Sequence, residues 1–205
     1  YTLSLHDALP IYQYSIPYFW GTLGIVYNTE LVKTAPKHWS DLWRPEYKNS
    51  IMMIDGAREV MGVGLNALGY SLNSKNTKQL QEAVDKLYTL TPNIKAIVAD
   101  EMKGYMIQNN AAIGVSFSGE ARQMLEKNDK LRYVVPTEAS NLWFDNIVIP
   151  KTVKNKKAAY QFINFMLRPE NAYKNALYVG YSTPNMPAKA MLPKEIQEDK
   201  AFYPD

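Results

Sequence analysis

Short strand-like stretches alternate with helix-like segments along this chain, and this alternation limits the possible folds more than any other feature. The strand-like stretches are rich in Val and Ile and lie at residues 24–27, 51–54, 112–115, 133–135 and 146–149. Helix-like segments lie at residues 58–70, 77–90, 118–128, 155–167 and 169–179. The alternation predicts an α/β fold whose sheet is largely parallel and covered by helices on both faces.

Several residues mark where the predicted helices begin and end. Asn76 precedes apolar residues at helical spacing and is placed to cap the helix after it. Pro169 suits the first turn of a helix, and Gly180 suits a C-terminal stop. Ser118 lacks the Gly-x-Ser-x-Gly context of a nucleophile, so the sequence favours a helix cap at this position.

Composition sets outer limits on the function. The 205 residues include 46% hydrophobic residues, enough for the core of one large domain or two small ones. No run approaches the roughly 18 apolar residues that cross a bilayer. The absence of cysteine removes disulfides, thiolate catalysis and Cys-ligated metals.

Residues 1–11 show neither a signal-peptide pattern nor a clear link to the rest of the chain, and we expect them to be a foreign or unstructured leader.

Charge and motifs argue against nucleic-acid binding and against most enzymes. The net charge is +3 and the basic residues are dispersed, whereas a nucleic-acid site concentrates them on one face. The only histidines are His6 and His38, and no Gly-rich phosphate loop or metalloprotease motif occurs. We therefore expect no cofactor, no metal site and no nucleic-acid partner.

One segment near residue 145 suits a cationic ligand. In an extended chain Trp143 and Asp145 share one face, roughly 6 to 7 Å apart, with Phe144 on the other. An aromatic face attracts an ammonium group and a carboxylate accepts its hydrogen bonds. The alternative is a core tryptophan beside a solvated aspartate. From these residues alone, this alternative is favoured over the cation site.

A carboxylate-pair glycosidase is the competing class of function. Glu59 and Asp145 would form the acid pair, and Trp143 would stack on a sugar. Such an enzyme needs one of the two acids protonated near neutral pH, whereas amine binding needs both ionised.

Five segments occur in the order and at about the spacing of one protein family. They lie at residues 17–28, 39–48, 55–60, 163–169 and 180–185. With these segments the chain resembles the spermidine/putrescine-binding proteins of bacterial ABC importers, from about residue 12 to its C-terminus. The resemblance implies a type II periplasmic-binding fold, in which two α/β lobes joined by crossing strands close on a polyamine. It also implies a membrane permease as partner, a monomer, and an extracytoplasmic location in the periplasm or at a lipid anchor.

The resemblance assigns roles to four residues in matching positions. Glu59 and Asp145 match carboxylates that each hold one ligand amine, Trp143 matches the aromatic wall, and Tyr181 matches a tyrosine that lines the same cleft. Without the resemblance, Glu59 would be assigned to the helix dipole and Tyr181 to packing.

Two further positions depart from the pattern. Phe117 stands where some members carry a second tryptophan, and Gly56 where some carry an additional aspartate. Asp55 lies beside Gly56 and is the candidate substitute for that charge. The missing charge at Gly56 leaves the choice between spermidine and putrescine open. A binding protein for another organic cation or for a sugar is a separate alternative.

The resemblance also divides the chain. Residues 24–142 would form a complete lobe II, residues 12–23 and 143–189 the hinge and part of lobe I, and residues 190–205 a truncated C-terminal segment. The chain is thus expected to be a fragment that lacks the signal segment, the first part of lobe I and the C-terminal tail. Hinge positions are predicted near 22–24 and 142–144, and the returning segment is expected to expose an apolar sheet face.

Overall fold

A computed structural model describes residues 14–203, so residues 1–11, predicted to be a leader, lie outside the described part. The strands are β1 Ile16–Asn28, β2 Ile51–Ile54, β3 Ile94–Val98, β4 Ile113–Phe117, β5 Leu131–Val134 and β6 Leu142–Ile147. The α-helices are α1 Ala57–Ala67, α2 Thr77–Tyr88, α3 Glu101–Ile107, α4 Ser118–Lys127, α5 Lys156–Met166, α6 Pro169–Val179, α7 Met186–Met191 and α8 Lys194–Gln197. Short 3₁₀ helices span Trp39–Trp43, Pro45–Tyr47 and Thr91–Asn93.

The predicted α/β class is confirmed, and the helix signals read from the sequence explain several helix ends. The side chain of Asn76 accepts hydrogen bonds from the backbone amides of Lys78 at 2.9 Å and Gln79 at 3.3 Å. Pro169 is the first residue of α6, and Gly180 ends it with a left-handed φ of 86°. Among residues 14–203, no helix is both long enough and apolar enough to pass through a membrane.

The sheet is mixed, so the prediction of a largely parallel sheet is wrong for its β1 half. Its strand order is β3-β2-β4-β1-β5, and β6 pairs with β1. Strand β2 runs parallel to β3 and β4, because helices make the connections between these strands. Strand β1 runs antiparallel to β4 and β5 and precedes the first of those helical connections.

Strand β3 and helices α3, α7 and α8 escaped the sequence analysis. In β3, half-buried residues alternate with exposed Lys95 and Ile97, as expected at the edge of a sheet. Strand β6 begins at Leu142 and ends at Ile147, four residues earlier than the sequence predicted at its start. Trp143 and Asp145 therefore lie within the strand, as their proposed spacing requires.

The chain divides into two compact units that share strand β1. Among residues 14–203, unit 1 contains those up to Gly21 and those from Trp143 onward, and unit 2 contains Thr22–Leu142. Assignment of the two units to the lobes of a binding protein stays a prediction.

Unit 2 has a sheet whose central strands are buried on both faces. All four residues of β2 are buried, and so are the first four of β4, as expected for strands covered by helices on each side. Helix α1 packs against α2 at Gly64, where a Cβ atom would lie 2.9 Å from a side-chain carbon of Leu87 and 3.0 Å from the carbonyl oxygen of Ala83. The glycine thus permits the close approach of the two helices.

Unit 1 exposes many large apolar side chains, most of them on helices and not on the sheet face that the returning segment was predicted to expose. Both faces of β6 are largely exposed, with Phe144 at 52%. The other large apolar side chains of the unit that are exposed by about half or more include Val148, Tyr160, Phe162, Phe165, Tyr178 and Met186. What covers them stays a prediction.

The packing at Gly64 predicts opposite effects of alanine at two helical glycines. Gly64→Ala should lower the free energy of unfolding by about 1–3 kcal/mol, because a backbone carbonyl limits the space for the new methyl group. Gly104→Ala in α3, where a Cβ meets nothing within 4 Å, should raise it by about 0.5–1 kcal/mol through helix propensity. Urea denaturation followed by circular dichroism measures both, and equal effects would contradict the packing described.

The exposed side chains of α5 predict the binding of a hydrophobic dye. Replacing Phe162 and Phe165 together by serine should reduce the fluorescence of bound anilinonaphthalene sulfonate, because both are at least half exposed. Tyr88→Ser in unit 2, where Tyr88 is 73% exposed, serves as the control and should leave the signal nearly unchanged. An undiminished signal in the double variant would show that the dye binds elsewhere.

Candidate functional site

Three of the candidate residues lie where strands β2 and β4 of unit 2 reach their carboxyl ends. Strands β2 and β4 are parallel neighbours, with Ile51 opposite Ile113. Their carboxyl ends therefore meet at the same edge, where ligands commonly bind in α/β folds. Asp55 follows β2 directly, Glu59 lies in the first turn of the helix after it, and Phe117 ends β4.

The carboxylate of Glu59 lies over Gly56. Gly56 is the N-cap of α1, and a Cβ atom built on it would overlap Oε2 of Glu59. Lack of a side chain at residue 56 thus leaves room for this carboxylate, which is half-buried, whereas Asp55 is exposed. A carboxylate in the first turn also stabilises the helix, by about 0.3–1 kcal/mol, so the dipole role remains consistent with the geometry.

Phe117 occupies the junction between β4 and α4. It is half-buried, pairs with Leu23 of β1 and forms the N-cap of α4, so the predicted cap at Ser118 is wrong. Ser118 is instead buried, and its Oγ accepts a hydrogen bond from the backbone amide of Thr22 at 3.3 Å. The long-range strand pairing that brings Thr22 to Ser118 has no local sequence signal.

A further carboxylate, Glu120, was missed by the sequence analysis. It lies in the first turn of α4 and accepts a hydrogen bond from the hydroxyl of Ser116 at 3.2 Å. An acidic residue three positions after Phe117 at a helix start was the available signal. Glu120 adds negative charge near the edge that carries Asp55 and Glu59.

Trp143 and Tyr181 are in contact within unit 1. Their ring centroids are 4.8 Å apart and the rings are nearly perpendicular, at 88°. Tyr181 directly follows the left-handed Gly180, and the next residue, Ser182, exchanges two backbone hydrogen bonds with Trp20, at 3.0 and 3.1 Å. Both aromatic side chains also pack on a buried cluster formed by Phe19, Ala176, Leu192, Phe202 and Tyr203.

Asp145 lies two residues after Trp143 in the same strand and is exposed. Alternation of side chains along a strand places the two residues on one face, as the sequence predicted. Phe144 points to the other face, with its ring 6.4 Å from that of Trp20. Because Trp143 is half-buried against the cluster, the arrangement suits both an ammonium site and the alternative of a core tryptophan beside a solvated aspartate.

The aromatic cluster also holds a neutral hydroxyl. Burial raises the pKa of Tyr18 above its usual value, while the hydrogen bond that the Asn175 amide donates to it, at 2.9 Å, acts in the opposite direction. Tyr18 therefore adds no negative charge to this part of unit 1.

The six candidate residues thus form two sets, one in each unit. Trp143, Asp145 and Tyr181 make up the set in unit 1, and Asp55, Glu59 and Phe117 the set in unit 2. Within residues 14–203, no cluster of three or more His, Asp or Glu side chains offers a metal site.

Comparison with known proteins identifies a matching family and similar relatives. Residues 4–204 match the family described as bacterial extracellular solute-binding protein. The chain is 38% identical over 198 residues to the spermidine/putrescine-binding periplasmic protein of Salmonella typhimurium, covering 96% of this chain and 57% of that protein. It is 36% identical over 193 residues to spermidine/putrescine-binding periplasmic protein 1 of Haemophilus influenzae, covering 94% and 54%.

A solved structure shows the same fold. The substrate-binding protein of a spermidine/putrescine ABC transporter from Streptococcus pneumoniae, crystallised with calcium and HEPES, is 78% identical and superposes with a TM-score of 0.87. The match covers 94% of this chain and 60% of that one. The chain therefore spans a little over half the length of the relatives it matches.

The contact between Trp143 and Tyr181 predicts a measurable coupling. In a double-mutant cycle with Trp143→Leu and Tyr181→Leu, the coupling in the free energy of unfolding should be about 0.5–1.5 kcal/mol, the range for edge-to-face aromatic pairs. The same cycle with Tyr178, which is 88% exposed, should give a coupling near zero. Equal couplings in the two cycles, measured by urea denaturation, would rule out a specific contact.

Proposed function

The chain belongs to the bacterial extracellular solute-binding proteins, and we propose that it serves as the polyamine-binding component of an ABC importer. One observation carries the proposal: Trp143 contacts Tyr181 and lies two residues before the exposed Asp145 in the same strand. Relatives named for binding spermidine and putrescine support the choice of ligand. Because the chain spans 57% of the first of these relatives, the activity is proposed for the protein of which these residues are part.

The set in unit 1 suits one ammonium group of a polyamine. Asp145 is exposed and would accept charge-assisted hydrogen bonds from the ammonium. The indole of Trp143, held in place by the Tyr181 ring, would supply a face for a cation–π interaction. Sugars also stack on tryptophan, but an adjacent carboxylate favours a cation.

The set in unit 2 suits a second ammonium group. Asp55 and Glu59 bring two carboxylates to the sheet edge that Phe117 borders with an apolar ring. This local negative charge matters because the chain as a whole carries +3 and would not attract a cation over long distances. Phe117 in place of a tryptophan would weaken the cation–π interaction on this side.

In the proposed role the chain binds its ligand without making or breaking a covalent bond. Ligand binding would shift the population between two arrangements of the protein, and a membrane permease would recognise one of them. We propose an extracytoplasmic location, in keeping with the periplasmic relatives, and action as a monomer.

The contacts of these residues alone set an upper limit on the affinity. Two charge-assisted contacts contribute about 1.5–3 kcal/mol each, and one or two cation–π contacts about 0.5–2 kcal/mol each. Ordering a flexible polyamine and losing its translational freedom subtract several kcal/mol. The remainder is below the roughly 8 kcal/mol of micromolar binding, so we expect millimolar affinity for this chain and tighter binding by a full-length relative.

Removing single charges tests the proposal. Asp145→Asn should weaken spermidine and putrescine binding about tenfold or more, because it removes a charge-assisted contact. Glu59→Gln should do the same on the other set. Chemical-shift titration by NMR reaches the millimolar range, and Asp129→Asn, which neutralises another exposed carboxylate, is the matched control and should have little effect.

Competition and salt distinguish the possible cargoes. Raising the salt from about 0.05 to 0.5 M should weaken polyamine binding through screening of the carboxylates, whereas disaccharide binding should respond little. Displacement of spermidine by betaine would indicate another organic cation. Equal losses of affinity in Asp145→Asn and Asp129→Asn would contradict the proposed site.

A further inference from the structure

We infer that Ser118 and Tyr133 are positioning residues that fix strand β1 to unit 2 at Thr22. The inference goes beyond the proposed function and does not depend on which ligand binds.

Thr22 lies just beyond the ladders that β1 forms with β4 and β5. The last pair between β1 and β4 on this side is Leu23 with Phe117, and the last pair between β1 and β5 is Ile25 with Val134. Thr22 is nevertheless buried, with 5% of its surface exposed. Buried backbone groups need hydrogen-bond partners, so side chains must take over where neighbouring strands stop.

Ser118 and Tyr133 supply those partners. The Thr22 amide donates to Oγ of Ser118 at 3.3 Å, and the Tyr133 hydroxyl donates to the Thr22 carbonyl at 3.1 Å. The Thr22 hydroxyl lies 3.2 Å from the same tyrosine oxygen. The amide, carbonyl and hydroxyl of Thr22 are therefore all held by two side chains, Ser118 directly after β4 and Tyr133 in β5.

Gly24 makes the reach of Tyr133 possible. Tyr133 pairs with Val26, and residues 22, 24 and 26 share one face of β1. The ring passes over residue 24, where a Cβ atom would lie 2.5–2.6 Å from three atoms of Tyr133. Only glycine at this position lets the hydroxyl extend from the level of Val26 to Thr22.

Residues 140–141, close to where the chain leaves unit 2 for the second time, are hydrogen-bonded to β1 at Leu23, next to Thr22. The Leu23 amide donates to the carbonyl of Asn141 at 3.1 Å, and the Ser140 hydroxyl donates to the carbonyl of Leu23. Residues 22 and 23 are thus held from both sides immediately before the division between the units. Ser118 also directly follows Phe117, so a candidate ligand residue and the fixed point of β1 share one short segment.

Amide hydrogen exchange on the ligand-free chain tests the inference. Ser118→Ala should speed exchange of the Thr22 amide about fivefold to tenfold, the factor that one net hydrogen bond represents. Ser118→Thr keeps a hydroxyl and should restore most of the protection. Tyr133→Phe keeps the ring and should speed exchange at Thr22 and Leu23, while Tyr88→Phe, the control on α2, should change neither.

The free energy of unfolding, measured on the same variants, separates positioning from general stability. The inference predicts that exchange rises at residues 22 and 23 and stays within twofold at residues 25–27. Unchanged exchange at Thr22 in both Ser118→Ala and Tyr133→Phe would overturn it. A uniform rise along β1 and β4, without rescue by Ser118→Thr, would overturn it as well.

Discussion

Continuity of strand β1 through two compact units is the constraint on which the rest of the structure depends. Before Leu23, strand β1 has no ladder partner in β4 or β5, so its buried backbone there requires other hydrogen-bond partners. At Thr22 two hydroxyl side chains provide them. The pairing of Leu23 with Phe117 and the hydrogen bonds of Ser140 and Asn141 to Leu23 lie directly beside this point.

Four of the six candidate residues lie in helices or strands. Glu59 lies in the first turn of a helix, Phe117 ends a strand, and Trp143 and Asp145 lie within one. Such positions restrict backbone freedom before any ligand binds, which lowers the entropy lost on binding. The polar groups nevertheless stay accessible, because each lies at the end of an element or on an exposed strand face.

Local signals in the sequence predicted the helices well and the sheet less well. The caps at Asn76 and Gly180 depend on neighbouring residues only, so they could be read directly. The antiparallel direction of β1 depends on pairing with strands about ninety residues away, as in Leu23 with Phe117, and no local pattern encodes it. Trp143 and Asp145 were found from a two-residue spacing, whereas the contact with Tyr181 required the fold and Glu120 was overlooked.

The glycine beneath the Tyr133 ring has an evolutionary consequence. Any side chain at residue 24 would occupy the space of that ring, so the two positions form a steric pair across neighbouring strands. A homologue with a larger residue at position 24 must carry a shorter residue at position 133 or move the tyrosine ring aside, and in either case needs another donor for the carbonyl of Thr22. The two sites should therefore covary among homologues, and exchange of one without the other should be rare.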